Sequence, residues 1–393
     1  MSSYPTTFHT YICRTIEIAL ANVRATAGLL PDAVRKQALH ALSYALGLDA
    51  AWPVTRELLL VMAPKMEQAG HRTDWMPYLE QGITAGERLG DWPAVAEYQL
   101  QLGMLYRMIS QFETAKAWLS RSVANFAQGA DGPNQARALN ELAWVEHLQH
   151  HYAEATAHVE QALGLLPVDH PECGMSYRVL GMIAIFQKKW EEAELLHLKA
   201  LVIFEQQGHQ RRIAWGLQNV ATALTNQHKF IAAFEYYQKA AKTLLVMNDI
   251  YNWGIVQMNL GLAYLYSKNP ELALSYLVDA ENVACQLNNL FQLAGIKTNQ
   301  GLVYLALKDY LKAENAFLSA VNSYTKLGDE RWRLNAIDGL AMAYLAQKQF
   351  TQAVEVLEVA LQDLPRIKAM PNYAYLSKSL NEHLQQAKAG QAS

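Results

Sequence analysis

A small residue returns along this chain so regularly that it dictates the architecture before any other feature is weighed. Gly103, Ala143, Gly181, Ala221, Gly261, Gly301 and Ala341 stand 40 residues apart, with one step of 38 between Ala143 and Gly181. Twelve residues beyond each lies an alanine: Ala115, Ala155, Ala193, Ala233, Ala273, Ala313 and Ala353. A fixed period of this kind marks a repeat array, in which each unit buries its apolar face only against its neighbours. Length then no longer counts domains, although 393 residues would ordinarily suggest more than one.

Within each period the apolar residues recur at three and four, the spacing of one helical face. Two polar breaks divide the period. One separates the halves of a unit, as at Gln187-Lys188-Lys189, Asn226-Gln227-His228-Lys229 and Ser267-Lys268-Asn269-Pro270. The other separates units: Leu89-Gly90-Asp91, Met247-Asn248-Asp249 and Leu327-Gly328-Asp329. Gly or Asn there suits a left-handed helix end, and the Asp caps the next helix. Each unit is therefore expected to be a helix, a tight turn and an antiparallel helix. No stretch shows the sustained alternation of a strand. Gly or Ala in the first helix and Ala in the second let the two backbones approach closely. Tyr106, Tyr264, Tyr304 and Tyr344, with Phe112, Trp190, Phe230, Tyr310 and Phe350 at the turns, are left to fill the wedge between units. The expected fold is all-α.

The small residue followed by Tyr (Gly103 and Tyr106, Gly261 and Tyr264, Ala341 and Tyr344), the aromatic at the turn, the Ala of the second helix and the closing Leu166-Pro167 and Leu364-Pro365 resemble tetratricopeptide repeats. The 40-residue period is similar to the long-helix subclass of that family, which includes kinesin light chains, spindle-orientation adaptors and the sensor arms of bacterial signalling NTPases. The resemblance implies a right-handed α-solenoid of antiparallel helix pairs over roughly Trp52 to Pro365. Residues 51–365 are expected to hold one degenerate pair (52–70 and 72–89) and seven clear repeats. Residues 1–50 are expected to supply two capping helices, over 7–26 and 31–47. Residues 366–393 are expected to supply a capping helix, over 372–387, and a tail. Leu376, Leu380 and Leu384 form one stripe of that helix, as an array needs to cover its open end.

Bulk charge removes several functions from consideration. The net charge is −3, from 33 basic and 36 acidic residues, and the densest basic runs are the pairs Lys188-Lys189 and Arg211-Arg212. Nucleic acid and anionic membrane surfaces are therefore not expected partners. Cys13, Cys173 and Cys285 lie far apart, match no metal or redox spacing, and fit a reducing, cytoplasmic setting. The segment 10–21 is interrupted by Arg14 and Glu17, unlike a signal peptide, and apolar runs such as 58–63 are far too short to span a bilayer. His147 and His151 form an i, i+4 pair with His150 and His158 nearby, but no Cys completes a metal site. Glu191-Glu192, Asp279 and Glu281 read as solvated helix faces. No phosphate loop, Ser elbow or kinase-like set is present, so no enzyme activity and no cofactor is expected.

By the same resemblance the first helix of each pair lines a concave groove. A stripe rising by three, four and three residues keeps to one face. It contains Glu97, Leu100, Met104 and Arg107, then Arg137, Asn140, Trp144 and His147. Met175, Arg178, Met182 and Ile185 follow, and after them Trp215, Gln218, Thr222 and Thr225. Further on it becomes apolar, with Ile255, Met258, Leu262 and Leu265; later members include Thr298, Leu302, Asp338 and Met342. The candidate partner-binding residues are Arg107, Arg137, Asn140, Trp144, Arg178, Met182, Trp215 and Met258, with Asn219, Asn259 and Asn299 along one helix edge. Arg and Trp together are the composition of binding hot spots, and Met-rich faces suit apolar peptide side chains. Many of these side chains can equally pad neighbouring first helices. The three Asn can either hold an extended peptide, as in long-helix relatives, or bridge repeats. The family's Lys/Asn/Arg clamp on a chain-terminal carboxylate is not supplied, because its positions are apolar or neutral in most units.

The resulting expectation is a non-catalytic scaffold, an adaptor or sensor that binds a protein or peptide in its groove. A small-ligand or signalling-peptide receptor and a sensor subunit of a signalling NTPase system are the alternatives.

Overall fold

The computed structural model describes residues 4–368, 370 and 373–392. Among them, every regular element is a helix, and helices adjacent in sequence pack on one another within residues 4–206 and within residues 230–391. The chain divides into two compact units, Met1–Asn219 and Val220–Ser393.

The first unit opens with α1 (Tyr4–Ala25), α2 (Asp32–Ala45) and a 3-10 turn at Asp49–Ala51. Paired helices follow: α3 (Trp52–Gln68) with α4 (Arg72–Leu89), α5 (Trp92–Met108) with α6 (Phe112–Gln128), α7 (Gly132–Leu148) with α8 (Tyr152–Gly164), and α9 (Cys173–Phe186) with α10 (Trp190–Gln206). The division falls inside α11 (Gln210–Asn226). The second unit continues with α12 (Phe230–Val246), α13 (Ile250–Tyr266), α14 (Pro270–Gln286), α15 (Leu290–Ala306), α16 (Tyr310–Leu327), α17 (Glu330–Ala346) and α18 (Phe350–Asp363). A 3-10 turn, Leu364–Ile367, leads to α19 (Tyr373–Gln391). The expected start of the last helix at Asn372 lies outside the described residues.

The recurring small residues sit where they were expected to matter. A Cβ on Gly103 would fall 2.4 Å from Leu119 Cγ and 3.2 Å from the Ala115 carbonyl oxygen; one on Gly261 would meet Leu277 Cγ at 2.7 Å and the Ala273 oxygen at 3.1 Å. Ala115 and Ala273 are fully buried. The periodic pair is thus a close backbone approach, which any larger side chain would prop open. In the wedge between pairs of the second unit, the Tyr264 ring stacks on Phe234 at 4.2 Å and on Tyr276 at 5.1 Å.

The breaks close as reciprocal caps. Gly90 and Gly328 take φ of 72° and 67°, and Asp91 and Asp329 accept from the backbone N–H of Ala94 and Trp332. The α3–α4 turn has Gly70 at 79°, whereas inside most later pairs the turn uses the same left-handed conformation without glycine: Ser110, His150, Lys188, Lys268, Lys308 and Lys348 all lie between 59° and 66°. Such a residue costs roughly 1–2 kcal/mol. The helix-ending bond that this geometry allows, as from Gln111 N–H to the Tyr106 oxygen at 2.9 Å, offsets it.

The N-terminal helices share one core with α3–α5, in which Ile16, Val23, Leu42, Leu58, Met62 and Trp75 are buried. Lys65 of α3 donates to the Thr26 and Gly28 carbonyls at the end of α1. At the other end α19 lies against α17 and α18, burying Leu376 and Leu380, with Leu384 half-buried. Two readings of the sequence need correction here. Asp338 is not an open groove residue, because Ser379 Oγ and His383 Nδ1 of α19 cover it at 2.7 Å each. Glu281 is not a solvated face: Lys297 and Gln300 of α15 both bond to its carboxylate.

Candidate binding surface on the first helices

In the N-terminal unit the Arg and Trp residues of the stripe converge. The Arg178 guanidinium of α9 lies 4.3 Å from the Trp144 ring centroid on α7 and 4.9 Å from that of Trp215 on α11. The Arg107 guanidinium lies 6.0 Å from the Trp144 ring centroid, and that of Arg211 5.1 Å from Trp215. One cation held between two indoles, one from the first helix on either side of its own, follows from the register. Trp144 and Trp215 flank the helix that carries Arg178, and cation–π attraction favours the stack.

Carboxylates neutralise the other arginines. Arg107 pairs with Glu141 at 3.1 Å, and Arg212 with Glu172 at 3.1 Å. Arg137 forms a two-pronged bond to Glu97, at 3.0 and 3.2 Å. Arg211 reaches Glu67 of α3 at 3.2 Å. Burial lowers the pKa of Arg178 to about 10, with Arg107, Arg212 and Arg211 adding to the effect and Glu141 opposing it. The group stays charged at neutral pH. A cavity of about 290 Å³ opens beside this network, lined among others by Glu67, Glu97, Gln101, Met104 and Arg137.

The remaining sequence candidates divide into two kinds. Asn140 is buried and accepts from Ser176 Oγ at 2.9 Å, and Asn219 is buried as well; both lie between helices rather than on an open face. The amide nitrogens of both lack an acceptor. Met182 is half-buried on α9. In the C-terminal unit Met258 is half-buried against the core of α13–α15, while Asn259 and Asn299 are half-buried on α13 and α15. His147 packs within a ring cluster with Trp144, Tyr152 and Phe186, and His158 bonds to the buried Glu146 at 2.7 Å.

The carboxylates Glu67, Glu141 and Glu172 and the arginines Arg211 and Arg212 were not among the sequence candidates. Two of the pairs carry a readable signal, since Arg137–Glu97 and Arg212–Glu172 are each separated by 40 residues, one repeat. The Glu67–Arg211 pair, 144 residues apart, carries none.

Residues 292–365 match the tetratricopeptide repeat family model. No curated protein matches the sequence. Among solved structures, a signal-transduction ATPase with a tetratricopeptide repeat sensor from Pyrococcus horikoshii is similar over 91% of this chain, with a TM-score of 0.61 and 17% identity. This chain spans only 52% of that protein. A Rap protein complexed with Competence and Sporulation Factor aligns over 85% of this chain and 99% of its own, with a TM-score of 0.57 and 13% identity. Aspartyl phosphate phosphatase F from Bacillus subtilis aligns over 90% and 93%, with a TM-score of 0.53 and 12% identity. At such identities the likeness is one of fold. The family match is confined to residues 292–365, and the paired helices and periodic small residues give the described residues a tetratricopeptide-like repeat fold.

Proposed function

We propose that the chain is a non-catalytic scaffold that binds a peptide or protein segment on the first-helix face of its N-terminal unit. The observation that carries this reading is the Arg178 guanidinium held between Trp144 and Trp215. Half-buried aromatic and Arg side chains on a preformed surface are what hot spots are made of. The neighbouring cavity, with Met104 and Leu105 beside Glu97 and Arg137, offers an apolar floor with polar edges. A net charge of −3 and the absence of a basic run favour a protein ligand over nucleic acid. The Rap protein of similar fold was solved complexed with Competence and Sporulation Factor, and use of the fold for ligand binding is proposed here too. Met258, Asn259 and Asn299 of the C-terminal unit are proposed as a separate candidate contact.

Peptides selected from a display library on the purified protein provide the test. Trp144→Ala and Trp215→Ala should each weaken the selected peptides about tenfold or more, while Glu192→Ala, on the exposed side of α10, leaves them unchanged. Selected peptides that ignore both Trp substitutions would refute this assignment.

A further inference from the structure

Five arginines stand on or beside this face and four glutamates answer them. Arg107, Arg137, Arg211 and Arg212 each have a carboxylate within 3.2 Å. Arg178 has none at ion-pair distance among the described residues, and its Nε, shut off from solvent, has no acceptor. The two indoles cover the faces of the guanidinium but satisfy none of its N–H donors. At the equivalent place in the other repeats the chain carries Leu100, Asn140, Gln218, Met258, Thr298 and Asp338, so no other repeat puts a cation there.

We infer that Arg178, clasped between Trp144 and Trp215, is the receptor for one carboxylate of the bound ligand. The inference rests on the peptide-binding reading above and names the chemistry of the ligand at that site. A half-buried guanidinium with its edge unspent is costly to keep, and a planar fork of donors matches a carboxylate. Charge balance selects the anion. One uncompensated positive charge is neutralised by a monoanionic carboxylate. A phosphate, carrying nearly two negative charges, would instead leave an excess among Glu67, Glu97, Glu141 and Glu172. Unspent donors elsewhere on the flanking helices point the same way: Asn140 Nδ2 on α7 and Asn219 Nδ2 on α11 also lack acceptors.

The experiment uses full-length protein labelled with fluorotryptophan, with the Trp144 and Trp215 signals assigned from Trp→Phe variants. Four probes are titrated: N-acetyl-glutamate amide, which offers only a side-chain carboxylate; N-acetyl-leucine, which offers only a terminal one; neutral N-acetyl-glutamine amide; and inorganic phosphate. At least one carboxylate probe should shift both signals saturably, and whichever binds tighter identifies the source. The neutral probe and phosphate should bind at least about tenfold more weakly, and Arg178→Gln should lower carboxylate affinity by about tenfold or more. Arg178→Lys keeps the charge without the fork and serves as the folded control, with affinity below that of the wild type. Failure of both carboxylates to move either signal, tighter binding of phosphate, or wild-type affinity in both variants would overturn the inference. If that happened while Trp144→Ala and Trp215→Ala still abolished binding of selected peptides, only the carboxylate assignment would fall.

Discussion

Arg211, at the start of α11, holds Glu67, at the end of α3, at 3.2 Å across 144 residues of sequence. The contact joins the degenerate first pair to the far edge of the N-terminal unit, and both side chains are largely withdrawn from solvent. Glu67→Gln removes the carboxylate that faces Arg211 at 3.2 Å, where both side chains are largely withdrawn from solvent. It should destabilise the unit by roughly 1–3 kcal/mol, since a desolvated charge-assisted hydrogen bond is lost. A double-mutant cycle with Arg211→Gln in urea unfolding measures the coupling. Strict additivity of the two changes would show that the pair contributes nothing.

The close approach of paired helices makes a sharper packing prediction. Gly261→Ala should destabilise by roughly 1–3 kcal/mol, because its Cβ would strike Leu277 Cγ at 2.7 Å and the Ala273 backbone at 3.1 Å. Gly164→Ala, with nothing within 4 Å, should be neutral or stabilising by up to about 1 kcal/mol. Thermal melts of the two variants should move in different directions, and equal shifts would contradict the assigned contact.

His197 occupies the core place that other repeats fill with Leu119, Val159, Tyr237, Leu277, Phe317 and Leu357. It is fully buried, and neither ring nitrogen has a partner. Tyr237, in contrast, finds Thr222 at 3.0 Å. Burial first, then Arg178, pushes the His197 pKa down to about 3. A depressed folded value means that the unfolded chain binds the proton more readily. Stability is therefore full above the ordinary histidine value near 6.5 and falls as pH drops towards 3. His197→Leu should raise stability by roughly 1–2 kcal/mol at neutral pH and by more at pH 5. A variant no more stable than wild type at both pH values would show that the buried imidazole has a partner after all.

His383 has the opposite sign. Its hydrogen bond to Asp338 raises its pKa. This stabilisation of α19 is complete below the ordinary value near 6.5 and is lost as pH rises through the elevated one. Melting temperatures of wild type should therefore fall, relative to His383→Gln, between about pH 6 and pH 8. Parallel profiles for the two proteins would detach His383 from the docking of this helix.

What was legible in the sequence was local. Gly103 with Ala115, and Gly261 with Ala273, follow from backbone approach within one pair, which depends only on residue size at a fixed offset. The convergence of Trp144, Arg178 and Trp215 was legible too, because successive first helices repeat one register. The neutralisation of Arg107 and Arg211 was not. It depends on how far each pair rotates on the last, which no residue type records, and so Glu67 and Glu141 gave no sign of their roles. The burial of Asp338 under α19 escaped for a related reason: a terminal helix carries no repeat mark. Left-handed Lys188, Lys268, Lys308 and Lys348 look like ordinary polar turn residues in the sequence and reveal their conformation only in the fold.

Hydrogen exchange on the protein bound to a selected peptide tests the location of the binding surface most directly. Protection gained on binding should concentrate in α7, α9 and the start of α11, the helices that carry Trp144, Arg178 and Trp215. The outer helices α8 and α10 should exchange as in the free protein. Protection confined to α1 and α2 or to the outer helices, with the α9 peptides around Arg178 unchanged, would contradict a binding site on the first-helix face.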